Sequence, residues 1–219
     1  MKTTLFSLSV RLLLLTSLNW VMTTFDPVRL PVALPITGGV LEVEVTAQPV
    51  AVIPPLDIFI AAVKNGQPGQ RVGVYVPNVL ALRLGQQPPH NPAYVTQTLG
   101  YATQFGLAAR YGATGLLAHN YLSGALFSNL TPGQEVDIIY GDGALRRYTI
   151  STLHHFQALR PTNPYSNFLD LDHSRPELSN AEVFRQIYSG GDRVVFQTCL
   201  QAHGNPSWGR LFVIAMPMG

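Results

Sequence analysis

The chain has 219 residues, 47% of them hydrophobic and only 12% charged, with a formal net charge of +2. That is apolar material enough for one domain with a core, and it lacks the basic excess that would argue for nucleic acid as a partner. Nineteen glycines and seventeen prolines, among many Val, Ile, Thr and aromatic residues, disfavour a helical bundle and predict short strands joined by turns, an all-β class.

Residues 1–24 read as a signal peptide or N-terminal membrane anchor. Lys2 and Arg11 flank a first apolar run, and "RLLLLTSLNWVM" is rich in leucine. Such a segment carries the chain across a membrane, so the remainder is expected outside the cytoplasm, secreted or held at the cell envelope. No A-x-A-like cleavage site comes after it, and both a cleaved and a retained segment stay open. Residues 25–70 are dense in proline and end in "KNGQPGQ", a cluster of turn formers that marks a boundary. This stretch is expected to be a linker with one or two strands, "VLEVEV" being the clearest alternation.

From Arg71 the pattern is that of a domain, 71–219. "RVGVYVPNVLAL" is a strand signal broken by Pro77. In "NPAYVTQTLGYATQFGLAARYG", Leu99, Ala102, Phe105 and Ala109 recur at helical spacing and Gly112 ends the run, which predicts a helix. "TGLLAHN" is a short apolar strand that stops at His119-Asn120, and "EVDIIYGDGALRRYTISTL" is a hairpin with Gly-Asp-Gly as its loop. "ELSNAEVFRQIYSGG" predicts a helix capped by Ser179 or Asn180. "DRVVFQTCL" and "GRLFVIAMP" are the last strands, with "QAHGNPSW" between them as a loop.

The chain has one cysteine, Cys199. In an oxidising compartment an unpaired cysteine is either a small buried hydrophobe or a thiol kept for its chemistry. Cys199 comes where an apolar strand gives way to polar sequence, His119 ends another strand, and Arg210 opens the strand after the cysteine. Strand ends can hold a nucleophile, a general acid and a cation in fixed geometry while substrate approaches from the loops. A thiolate attacks a carbonyl, an imidazole protonates the leaving amine, and a guanidinium stabilises the tetrahedral oxygen. Each residue also has a structural reading: an inert thiol for Cys199, a strand-closing histidine for His119, and for Arg210 a strand cap paired with a carboxylate such as Asp192. His203, four residues after Cys199, competes for the base role, although one Cys and one His are too few for a zinc site. His154 and His155 are adjacent in a strand and must face opposite ways.

The order His119, Thr198-Cys199, Arg210, set in "GLLAHN", "GALFSNLTPGQEVDIIYGDGALRRYTI", "VVFQTC" and "WGRLFVIA", resembles the sortase family over roughly residues 71–217. The resemblance implies a closed β-barrel with a few short helices. It further implies a cysteine transpeptidase that cuts a sorting motif in exported proteins through a thioacyl-enzyme and hands the product to an amine on the bacterial cell wall or a pilin subunit. On that basis Cys199 is the nucleophile, His119 the general acid and base, and Arg210 the stabiliser of the oxyanion or substrate. Thr198 is expected in the substrate groove with Asn120 and Trp208. No cofactor is implied, and the sparse carboxylates supply no calcium-type cluster. Another cysteine transpeptidase family, the L,D-transpeptidases, has glycine before the cysteine and arginine two after, where this chain has Thr198 and Gln201. A papain-like hydrolase reverses the order of cysteine and histidine. A catalytically silent sortase-like barrel serving envelope assembly, or a peptide hydrolase of the same fold, are the alternatives. One further stretch, "LPITGG" at Leu34–Gly39, has the form of the family's sorting motif but precedes the domain. A tethered pseudo-substrate is the expectation it raises.

Overall fold

The computed structural model describes residues 52–173 and 177–219. The targeting segment, most of the expected linker, the "VLEVEV" strand and Leu34–Gly39 lie outside the described residues.

The described chain begins with helix α1, Leu56–Val63, and continues through β1 (Arg71–Val76), β2 (Leu80–Gln86), β3 (Tyr101–Phe105), a single helical turn α2 (Gly106–Ala109) and β4 (Ala113–Leu117). A 3-10 helix, Ser123–Asn129, precedes β5 (Glu135–Tyr140), the long β6 (Leu145–Ala158) and the short β7 (Phe168–Asp170). Helix α3 (Asn180–Tyr188) leads to β8 (Arg193–Ala202) and β9 (Asn205–Pro217). Strand order is β5-β1-β2-β3-β4-β8-β9-β6-β7, and β5 pairs in addition with β6. That last pairing closes eight strands into a barrel and leaves β7 as an appendage on β6, so the sheet keeps almost no free edge.

Alternation along the strands sorts side chains to two sides of the wall. Val194 and Phe196 of β8, and Leu211, Val213 and Ala215 of β9, point into the barrel with Leu116, Ile138 and Tyr148. Val195, Phe212 and Ile214 point outward and are covered by Val183, Ile187 and Tyr188 of α3. Helix α3 starts where its sequence directs: the Ser179 side chain accepts the Glu182 N–H while Glu182 accepts from the Ser179 N–H, a reciprocal capping box. Turns use residues that tolerate positive φ. Gly143 (φ 94°) closes the β5–β6 hairpin, and His203 (φ 50°) with Gly204 (φ 75°) makes the two-residue β8–β9 turn.

Three expectations are corrected. The helix expected within 91–112 is instead a loop, β3 and the four-residue α2. Gly100 at φ 80° breaks the run, Leu99 projects into solvent at 72% exposure, and Ala102 is buried in a parallel ladder with β2. The loop expected over 201–208 is mostly strand, since β8 runs to Ala202 and β9 begins at Asn205, so Arg210 lies well inside β9 rather than opening it. Residues 56–63, expected within a linker carrying strands, form α1, whose Phe59 and Val63 pack against Val72, Tyr75 and Ile139.

Candidate active site

Strand direction brings the candidates to one rim. Strands β4 and β8 run parallel with Leu117 opposite Gln197, and the Ala118 N–H still donates to Gln197 O at 3.2 Å beyond the end of β4. Two residues further on each chain are His119 and Cys199. On the other side of β8 the antiparallel partner of Cys199 is Arg210. Cys199 and Arg210 are thus opposed on β8 and β9, neighbouring strands about 4.8 Å apart, and His119 lies two residues past the end of β4, the strand on the other side of β8. Directly opposed residues share a face. Cys199 has the parity of outward-facing Val195, and Arg210 that of outward-facing Phe212.

Cys199 is a free thiol, half-buried, between buried Thr198 and half-buried Leu200. An open cavity of about 250 Å³ lies against it, lined by Asn120, Gly124, Ala125 and Ser128 on one side and Thr198, Leu200, Gln201 and Leu211 on the other. Thr198 Oγ1 is buried, with no hydrogen-bond partner among the described residues. His119 and Arg210 flank this cavity by strand position without lining it.

The guanidinium of Arg210 is anchored through Nη1, which donates to Ser207 O at 3.0 Å and Gly209 O at 2.8 Å. It has no carboxylate partner among the described residues. Asp192, its expected partner, is instead bound by Arg146 and by the Tyr148 hydroxyl. That carboxylate and burial together push the Tyr148 phenol up to about 12, burial being the larger cause. Asn120 donates to Pro206 O at 2.9 Å, tying the exit of β4 to the β9 arm. Trp208 packs edge-on against His203 with ring centroids 5.9 Å apart, away from the cavity lining. Phe127 is core, in edge contact with Phe196. His154 and His155 do face apart: His154 stacks on Phe156 while His155 Nδ1 meets Asp172 at 2.9 Å. Among the described residues no three His, Cys, Asp or Glu side chains converge as metal ligands.

Two contacts of His119 escaped sequence reading. Its ring stacks on Tyr121, centroids 5.1 Å apart and planes at 19°, and its Nε2 lies 2.9 Å from Gln97 Nε2. Gln97 comes from the β2–β3 connection. Because β3 is parallel to β2 and antiparallel to β4, that connection must return to the rim where β4 ends. Tyr121 was within reach of the sequence, two residues past the histidine. Gln97 was hidden by the helical misreading of its segment. Gly124 was missed as well. Its N–H donates to His119 O at 3.0 Å, as does that of Leu122 at 2.9 Å, so the 3-10 helix holds the histidine backbone.

The barrel is similar to those of solved sortases. Sortase A from Listeria monocytogenes is 13% identical with a TM-score of 0.44, the match covering 68% of this chain and 88% of that one. Sortase A from Corynebacterium diphtheriae is 13% identical with a TM-score of 0.46, over 70% of this chain and 62% of that one. Sortase C-1 from Actinomyces oris is 12% identical with a TM-score of 0.47, over 77% and 83%. No family model matches the chain. No curated protein matches it either.

Proposed function

We propose that this protein is a sortase-like cysteine transpeptidase acting outside the cytoplasm on exported proteins that carry a peptide sorting motif. The observation that carries the reading is the Cys199–Arg210 pair in direct register on β8 and β9, with His119 just past the end of β4, the strand that flanks β8 on its other side.

The thiolate of Cys199 adds to the scissile carbonyl carbon, and the electron pair moves to the carbonyl oxygen, where the Arg210 guanidinium balances it. As the C–N bond breaks, the His119 imidazolium gives its proton to the departing amine. An incoming amine then adds to the thioester, loses its proton to His119, and the sulfur leaves as thiolate. Water in place of the amine gives hydrolysis. The acceptor is an amine of the cell wall or of a pilin subunit. The cavity beside Cys199, with Leu200 and Leu211 as apolar walls, suits an extended peptide with a small apolar side chain next to the reacting bond.

The test is thiol alkylation followed by mass measurement. Labelling is expected at Cys199 and should slow at least ten-fold in His119→Ala. A synthetic peptide library offered with a glycine amine should then yield transfer products that vanish in Cys199→Ala. Slow labelling indifferent to His119, with no peptide turned over, would remove the proposal and favour the silent-barrel alternative.

A further inference from the structure

Within the acid–base cycle just proposed, and resting on it, His119 must pass between neutral and protonated forms without leaving its place. Whatever touches Nε2 has to satisfy both. Gln97 does so in a way no charged or apolar residue could. The Tyr121 hydroxyl donates to Gln97 Oε1 at 2.9 Å, and the other end of the same amide, Nε2, faces His119 Nε2 at 2.9 Å. In that arrangement the amide donates to the ring, Nε2 is the acceptor, and the neutral imidazole carries its proton on Nδ1. A half-turn of the amide exchanges its ends. Gln97 Oε1 then accepts from a protonated His119 Nε2, and Gln97 Nε2 donates to the Tyr121 oxygen, which serves equally as acceptor. Every hydrogen bond has a donor and an acceptor in both states. The proton that comes and goes is the one on Nε2, so the Gln97 amide yields that nitrogen to the substrate amine at the moment of transfer and re-engages it, in one sense or the other, before and after.

The segment that carries Gln97 is pinned on both sides although its side chain is exposed. The Thr96 N–H donates to buried Thr103 Oγ1 at 2.8 Å, and the Gly100 N–H donates to Ser123 Oγ at 3.0 Å, at the start of the 3-10 helix that holds the His119 carbonyl. Tyr121, stacked flat on the imidazole, fixes the ring plane and orients the amide at once. Nδ1 of His119 has no partner among the described residues.

We propose that Gln97, oriented by Tyr121, is the positioning residue of His119: an amide that flips with the charge of the ring, sets its neutral tautomer, and keeps the imidazole in place through both protonation states. This predicts that Nδ1 bears the proton in the resting neutral ring.

The experiment is nitrogen NMR of histidine-labelled full chain across pH, with the pH profile of Cys199 alkylation on the same samples. In the unaltered protein the neutral His119 ring should be one tautomer, protonated at Nδ1. Gln97→Glu, an acceptor only, should convert it to the Nε2–H tautomer and carry the alkylation profile upward by about one pH unit. Gln97→Leu should give mixed tautomers and slow His-dependent alkylation about ten-fold, and Tyr121→Phe should loosen the tautomer preference while leaving the fold intact. Identical tautomer populations and pH profiles in Gln97→Leu and the unaltered protein would overturn the inference. Failure of the transpeptidase reading would appear separately, as alkylation indifferent to His119→Ala whatever the tautomer.

Discussion

At the scale of single residues, the candidate site depends on a glycine as much as on its three chemical groups. A Cβ on Gly124 would come within 2.6 Å of Ala118 O and 2.7 Å of His119 O, and closer still to Thr198 Oγ1. Two of those atoms are backbone and cannot swing aside, so Gly124→Ala must move the 3-10 helix away from the end of β4. Overpacking of this kind costs about 1–3 kcal/mol. Melting should fall by about 2–4 °C for each of these, and His119-dependent labelling of Cys199 should drop with it. An alanine variant that melts and labels as before would mean that the helix is not what fixes His119. A second residue-scale effect concerns His154, whose pKa is held below its usual 6.5, first by burial and also by His173 and His155, against the opposing pull of Asp172 and Asp170. Its Nδ1 is buried without a hydrogen-bond partner among the described residues, so the fold resists the charged ring. The unfolded chain takes up a proton as pH falls through about 6.5 while the folded chain lags, so acidification over that window favours unfolding, and above it the effect is absent. His154→Leu keeps apolar contact with Phe156 and removes the titration. The loss of melting temperature between about pH 7 and about pH 5 should therefore be smaller in the variant, which paired melting curves would check.

At the scale of elements, what could be read in advance was whatever is encoded locally. The β5–β6 hairpin announces itself by alternation around Gly-Asp-Gly, and Asp142 Oδ1 indeed accepts the Ala144 N–H across that turn at 3.0 Å. Helix α3 is legible because Ser179 and Glu182 spell out its capping box and because Val183 and Ile187 are one turn apart on its buried face. The β3 segment was not legible. Leu99, Ala102, Phe105 and Ala109 meet a helical template by spacing, yet what decides their state is a parallel ladder to β2 and an antiparallel one to β4, partners that no local window contains. The candidate site divides in the same way. Cys199, His119 and Arg210 could be picked out as polar residues set in apolar strand contexts, and so could Thr198. Their placement around β8 depends on the registers of β4 with β8 and of β8 with β9. Gln97 reaches His119 only because the β2–β3 crossover returns along the barrel, a consequence of topology that the residue's own neighbours do not hint at.

At the scale of the whole molecule, barrel closure separates what stabilises the fold from what the site needs. In the order β5-β1-β2-β3-β4-β8-β9-β6 closed by β5–β6, β1 and β8 lie four strands apart either way, on opposite walls. Helix α1 docks on β1: a Cβ on Gly73 would meet Phe59 at 3.1 Å and Val63 at 3.2 Å, so the helix approaches the strand where a side chain is lacking. Arg83 donates to Ala62 O at 2.7 Å, Tyr75 to Pro54 O at 3.0 Å, and the Gly66 N–H to Gly141 O at 2.7 Å. A chain shortened to begin at residue 71, where composition alone puts the domain boundary, loses all of these and exposes Val72, Tyr75 and Ile139. Burial of Phe59 and Val63 contributes about 1.5–3 kcal/mol each, so the shortened chain should melt roughly 10 °C below one beginning at residue 52. Below its own transition it should still label Cys199 at the same rate, because nothing on the β4-β8-β9 wall has lost a neighbour. Equal melting temperatures would return the boundary to residue 71. A labelling rate that fell with the helix, in chain that is still folded, would mean that the two walls of the barrel are coupled and that α1 belongs to the site.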